Sequence, residues 1–440
     1  MGAGAYVVAT SAQAKTPAKH TSMALDASSY GLIPNSKANQ TSKLTAAITE
    51  AQKEQKPLFI PAGRYVISDL TIPAPVTLQG MAGATVFLFA GVQEFIRLEH
   101  AENISFSGLT FDGQTKSMGT NDKQGLVTAQ NIAGLMIEDC VFQNSRANGL
   151  ALIECSGHIG RVEALGIGQT GIFSLDAQGL EITQSHVHDC GNNGIQIWRS
   201  SVGADNSQVT HTRIENIRAD AGGSGQNGNG INIFRAGNVL ISENRVKSCA
   251  FSAIRSNKGD SSQVLGNNCS DLGEVAIYAE FGFEGAIISG NFIERAASGI
   301  SITNFKEGGR MAVCANNIIR DLFAGKEPEP RGVGIAVEAD TVVTGNVVES
   351  TPGIGIALGW GQYLRDVIAS NNVVRKAKIG FAVSVAKSAG SALITSNLIS
   401  GSTQSALAGF DHLKLVAPDL FDAQGRKQYS HIQISDNLIT

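Results

Sequence analysis

The chain has 440 residues, longer than one ordinary globular core, so two domains or a repeat array is expected. Its 50 Gly against only 10 Pro suit many tight turns between short strands better than disorder. A formal net charge of −4 argues against a dedicated nucleic-acid binder, and no run of roughly 18 or more apolar residues offers an integral membrane segment.

Residues 1–14 contain "AGAYVVATSAQA", which has the small apolar character of a signal-peptide tail, with Ala12-Gln13-Ala14 as a cleavage pattern and a mature start near Lys15. No basic segment precedes it. Residues 15–35 are polar and linker-like. Residues 36–75 are expected to form an N-terminal cap. In "NQTSKLTAAITEAQKEQKP", Thr41 or Ser42 serves as N-cap, Leu44, Ala47, Ile48 and Ala51 share one stripe, and Lys56-Pro57 stops the helix. "PLFIPAGRYVISDLTIPAPVTLQG" then reads as strands broken by turns.

From 76 to 440 one phrase recurs. An apolar-x-x-Asn-x-apolar anchor places Asn244, Asn267, Asn291, Asn317, Asn346, Asn372, Asn397 and Asn437 in one slot, with Leu109, Cys140, Leu165, Ser185 and Thr212 assigned to it upstream. The step is about 25 residues, with occasional excess, as in a solenoid whose coils carry loop insertions. A second anchor is Gly followed by strict alternation: "GLAL" at Gly149, "GIFSL" at Gly171, "GIQI" at Gly194, "GINI" at Gly230, "GISI" at Gly299, "GIAV" at Gly334, "GIAL" at Gly355 and "GFAV" at Gly380. Alternation over four residues is strand-like, and the three- and four-residue spacing of a helical repeat is missing. Gly and Asn suit the positive-φ corners. One coil of three short strands cannot bury its apolar face alone. Stacking coils ~4.8 Å apart closes a core, pairs the backbone between coils and lets the repeated Asn form a ladder. The expected fold is all-β: a parallel β-helix of about 13 coils, roughly 60 Å long at that rise, with an amphipathic helix over its open end. The last step of about 40 residues contains Phe410 to His431, which could fold over the other end.

If the protein is exported, its six Cys would permit three disulfides. Their places in the repeat favour buried free thiols instead. Cys314 falls in a buried Ile slot, while Cys190 and Cys249 share a slot two coils apart, too far for a bond.

Two resemblances follow from these residues. Ala46-Ala47-Ile48 followed by Pro61-Ala62-Gly63-Arg64-Tyr65, ahead of Asn-rich coils, resembles the pectate-lyase-like superfamily of right-handed parallel β-helices. "RADAGGSGQNGNGINIFRAGNV" and "AEFGFEGAIISGN" resemble a family of uncharacterised, Tat-exported bacterial repeat proteins; the likeness covers about residues 25 to 440. It implies a right-handed, single-chain β-helix and a periplasmic or secreted location, although the family's twin-arginine signal is absent here. The broader superfamily contains polygalacturonases, pectate lyases, epimerases and phage depolymerases, so the resemblance implies a carbohydrate partner. Polygalacturonase motifs and a pectate-lyase calcium cluster are not found, and "SGHIG" at Ser156 is no match.

Counting from the Gly of each alternation, positions +2 and +4 point outward. They stack as Gln196/Trp198, Asn232/Phe234, Arg255/Asn257, Tyr278/Glu280, Ser301/Thr303 and Ala336/Glu338, then fade to Ala357/Gly359 and Ala382/Ser384. Aromatics, amides, an Arg and carboxylates on one face suit sugar rings and hydroxyls, although any one of them is equally an ordinary surface residue. Trp198, Asn232, Phe234, Arg235 and Asn257 are the candidate substrate-binding residues of this face. The loop "IRADAGGSGQNGNG" (217–230) would add Gln226, Asn227 and Asn229, unless it is only a flexible surface loop. Candidate catalytic groups are Glu280 and Glu338, about 9.6 Å apart at the backbone after two ~4.8 Å rises, a separation permissive for an inverting glycosidase. Asp220 is a third acid. Arg255 would tune Glu280 or hold an acidic sugar, or would simply make a surface ion pair. Tyr278 is a possible lyase acid.

His186 and His188 share a strand face, and His211 lies one coil later. A metal site needs three or four converging ligands, so these are read as exposed strand histidines, with no metal and no cofactor expected. Basic and acidic residues between Ile195 and Arg310 balance at eleven each, which favours a neutral or mildly acidic glycan over a long polyanion. The sequence therefore points to an exported envelope protein that binds a polysaccharide, with cleavage as a hydrolase or lyase open to it. A non-catalytic carbohydrate-binding or scaffold protein is the alternative.

Overall fold

The computed structural model describes residues 24–119, 121–223, 225–325, 332–422 and 428–440. The signal-like stretch at 1–14 and the expected start near Lys15 lie outside them. The fold is an all-β parallel solenoid of about 14 turns, with one short helix. Each turn lays one strand on each of three faces. The first face stacks 16 strands, from Leu25–Asp26 to Ile432–Ser435. The second and third faces run together where single strands such as Asn268–Glu280 and Val373–Ser384 cross the corner between them.

The repeated Asn explains the corner between the first and second faces. The backbone N–H and Nδ2 of each Asn donate to Oδ1 of the next, from Asn244 through Asn437, at 2.9–3.0 Å. Thr212 extends the row by donating its N–H to Asn244. The residue just before each rung is left-handed, whether Glu243 (φ 57), Gly290 (φ 69), Asn316 (φ 57) or Asn371 (φ 57). The backbone turns there, and the following Asn points inward to satisfy groups that water cannot reach.

Register corrects one assignment upstream. Val141 pairs with Glu163, and Glu163 with His186, so the slot runs Cys140, Val162, Ser185 rather than through Leu165. The Gly of each alternation also has a different reason from the one expected. It is not left-handed; it is crowded. A Cβ on Gly299 would lie 2.3 Å from the Gly334 carbonyl oxygen, and one on Gly334 2.4 Å from that of Gly355.

Inward positions stack like onto like. Leu150, Ile172, Ile195, Ile231, Ile254, Ile277, Ile300, Ile335, Ile356, Phe381 and Leu407 form one buried row across successive turns. Most of the buried aromatics lie in the first turns, where Tyr65, Phe87, Phe111 and Phe142 succeed one another and the last two rings stack 5.1 Å apart; Phe283 and Phe381 are buried further along. Helix α1 (Thr41–Glu54) covers the N-terminal end with Leu44, Ala47, Ile48 and Ala51 buried. Its N-cap is Gln40 rather than Thr41 or Ser42; the Thr41 hydroxyl accepts the Ser68 N–H at 3.0 Å instead of an N–H of the helix. At the other end Lys414–Ala417 pairs antiparallel with the last third-face strand, Ser405–Asp411. No helix among the described residues is long and apolar enough to cross a membrane. All six Cys are free and buried.

Candidate functional site

The outward rows of the third face stack in the order read from the sequence. Gln196, Asn232, Arg255, Tyr278, Ser301 and Ala336 occupy one row, and Trp198, Phe234, Asn257 and Glu280 the next. They are not an open surface, however. Gln196, Asn232, Arg255, Glu280, Ser301 and Glu338 are all buried. Loops leaving the face fold back over it, and its polar groups are largely occupied by one another.

Asn232 Nδ2 donates to the carbonyls of Gly225 (2.9 Å) and Gln226 (3.4 Å), and its Oδ1 accepts from Trp198 Nε1 at 3.1 Å. Trp198 packs between Phe173 and Phe234, whose ring Arg235 covers at 4.6 Å. Asn229 belongs to a second, shorter amide row. Its N–H donates to Asn193 Oδ1, and its own Oδ1 accepts the Ser252 N–H. Asn227 ties the loop internally to the Gly222 carbonyl, while Gln226 is exposed. Residues 217–223 and 225–230 thus roof the face, and their amides serve mainly to hold that roof.

Glu280 sits in a buried ion pair. Arg255 Nε and Nη2 grip its two carboxylate oxygens at 2.7 and 2.9 Å, and Asn257 Nδ2 adds a third bond at 3.1 Å. Arg255 also reaches Glu274 at 3.0 Å and lies over the Tyr278 ring at 5.0 Å. This is a buried network, not the surface pair considered from sequence. Asp220 is exposed and paired to Arg218 of its own loop at 2.9 Å.

Glu338 differs. It lines a cleft of about 250 Å³ with Tyr278, Ser301, Thr303, Asn304 and Trp360, over a floor of Ala336 and Ala357. Its Oε2 accepts the Phe305 N–H at 2.6 Å. Burial pushes its carboxyl up to about 7, against the opposing pull of that N–H and the one of Asn304. A group titrating there can give or take a proton at neutral pH. Phe305 is held in turn by Arg365, whose guanidinium lies 4.4 Å over its ring while pairing with Asp340. Ser301 and Thr303 offer hydroxyls 3.2 Å apart.

Trp360 was not singled out from the sequence. It lies one residue beyond the alternation, in a Gly-Trp-Gly turn whose glycines have φ of 79 and 55. His412 packs edge-on against its ring at 5.6 Å. Ala357 and Gly359, read as a fading of the face, together with Ala336 are the small residues that leave room for the cleft between Tyr278 and Trp360.

His186 and His188 do share an outward side of the second face, with their rings stacked 4.2 Å apart. Glu163 of the preceding turn joins them. His211 turns away to Glu243 at 2.6 Å.

Parallel strands stacked turn on turn over three faces define the class of parallel β-helix proteins. The chain belongs to the right-handed β-helix family: the family described as "right handed beta helix region" matches residues 124–225 and 201–374. Among solved structures, the N-terminal fragment of bacteriophage Phi29 gene product 12 is similar, with a TM-score of 0.53 at 15% identity over 87% of this chain and 68% of that one. The catalytic unit of a GH87 alpha-1,3-glucanase from Streptomyces thermodiastaticus is also similar, with a TM-score of 0.50 at 15% identity over 98% and 70%. These likenesses establish fold. No curated protein sequence matches the chain.

Proposed function

We propose that this protein acts outside the cytoplasm, periplasmic or secreted, and binds a neutral or mildly acidic polysaccharide in the Tyr278–Trp360 cleft, where Glu338 serves as a general acid for cleavage. The observation that carries this is a buried carboxyl held near neutrality in a cleft walled by two aromatics. Sugar rings stack on such walls, and an acid that keeps its proton near pH 7 can protonate a glycosidic oxygen. A glucanase of the same fold shows that a β-helix can carry glycan chemistry, which is support by analogy only. The signal-like stretch at 3–14 supports export.

A non-catalytic, glycan-binding or scaffold role is the second reading, and Glu280 favours it. Glycoside hydrolysis ordinarily uses two carboxyl groups, and Glu280 is committed to Arg255. A glycan-array screen with reducing-end detection on the same samples separates the two. Cleavage that falls ~10²–10⁴-fold in Glu338→Gln supports the enzyme. Binding without product supports the scaffold, and neither binding nor product on any glycan removes the cleft from consideration.

A further inference from the structure

Three successive turns place two imidazoles among carboxylates on the outward side of the second face. Register sets Glu163 beside His186, and His188 beside Glu215. Glu163 Oε1 lies 3.3 Å from His188 Nε2 and 3.9 Å from His186 Nδ1, so one nitrogen of each ring and one carboxylate oxygen converge. The other nitrogen of each ring has its own carboxylate. His186 Nε2 is 3.1 Å from Glu215 Oε1, and His188 Nδ1 is 2.6 Å from Asp189 Oδ2.

Metal-binding histidines divide their two nitrogens in this way. One binds the ion, and the other donates its N–H to a carboxylate that fixes tautomer and ring orientation. Ligands ~2.0–2.1 Å from a tetrahedral ion stand roughly 3.3–3.4 Å apart. The Glu163–His188 spacing of 3.3 Å already matches that, the Glu163–His186 spacing of 3.9 Å must shorten, and all three ligand atoms lie within 4.8 Å of one another, so side-chain rotation alone can close the site. All three groups are partly accessible, which leaves an ion room to enter and keep a coordination position open to solvent.

We propose that Glu163, His186 and His188 form a binding site for a divalent transition metal of the zinc class, oriented from behind by Glu215 and Asp189. Two imidazoles and one carboxylate suit zinc and its first-row neighbours rather than calcium or magnesium, which prefer all-oxygen sets. The site lies on a different face from the Tyr278–Trp360 cleft and does not depend on it.

The same groups without a metal would make only a surface ion-pair network, with Arg213 next in register to His186. The two cases are distinguished by titrating tag-free, chelator-dialysed protein with ZnCl₂ by calorimetry. Co²⁺ is added separately, and its visible absorption is read. The proposal expects one equivalent of Zn²⁺ and the d–d bands of a low-coordinate cobalt site. His186→Ala and His188→Ala should each weaken binding at least tenfold. Glu215→Gln should weaken it about 10–100-fold, as loss of an orienting carboxylate does. Circular dichroism of the metal-free variants confirms that the fold is kept. Binding below one equivalent, or binding that survives in the His186→Ala/His188→Ala double variant, would overturn the site.

Discussion

The carboxylate of Glu338 accepts the backbone N–H of Phe305, 33 residues earlier in the chain, at 2.6 Å. One turn's loop thus holds the acid presented by the next. Burial lifts that carboxyl from its ordinary 4.5 to about 7. As pH rises from about 4.5 to 7, the unfolded chain loses this proton while the folded chain keeps it. Stability therefore falls across that window and levels off above it. At ~1.4 kcal/mol per pH unit the total is about 3 kcal/mol. Glu338→Gln should be more stable than wild type near pH 8 and similar to it near pH 4, as read by urea denaturation at both. An equal midpoint difference at the two pH values would show that Glu338 is not perturbed.

Glu280 is expected to behave as a structural group. Glu280→Ala leaves Arg255 buried with one of its carboxylates missing, which typically costs about 3–5 kcal/mol. Neutralising the whole network, as in Arg255→Met/Glu274→Gln/Glu280→Leu, should recover most of that loss, because no carboxylate is then left without its arginine. A triple variant as unstable as the single would refute the pairing as the cause.

The amide row makes a position-dependent prediction. Asn317→Ala strands the buried N–H of Asn291, removes one acceptor from its Nδ2 (the Val264 carbonyl remains) and takes the Asn317 Nδ2 donor from the Ile288 carbonyl, at a cost of roughly 2–5 kcal/mol. Asn437→Ala, at the end of the row where water can substitute, should cost much less. Chemical denaturation of the two variants gives the comparison.

Burial pushes the thiols of Cys140, Cys190, Cys269 and Cys314 up to about 12 and that of Cys155 to about 11. A thiol reagent at pH 8 should therefore label none of these in the native protein, and all six Cys should react in denaturant. Rapid native labelling would show that the coils open locally.

The fold was legible where one residue type repeats in one slot. From Asn244 onward the Asn marks the same corner of every turn, and the alternation after Gly marks most third-face strands, with Ala253, Ala276 and Ala406 standing in the Gly slot elsewhere. Upstream the slot holds Cys140, Val162 and Ser185, which carry no shared side-chain chemistry, and the register slipped by three residues to Leu165. That slip hid Glu163 from His186. The roofing of the third face was not legible either, because loop paths depend on contacts between turns rather than on local pattern. Asn229 and Asn232 therefore looked like free amides, although loop or neighbouring-turn backbone groups occupy both. Trp360 escaped notice because it stands just outside the repeat.

Every Asn-to-Asn link in the row points the same way: each Nδ2 donates to Oδ1 of the C-terminal turn, while a second bond from the same Nδ2 ties it to a carbonyl of the preceding turn. Links chained in one direction polarise one another. The row from Asn244 to Asn437 therefore has an electrical sense, with its acceptor oxygens facing the Asn244 end and its donors the Asn437 end. Links in the middle of the row should be the strongest, and the stack should unzip from its ends.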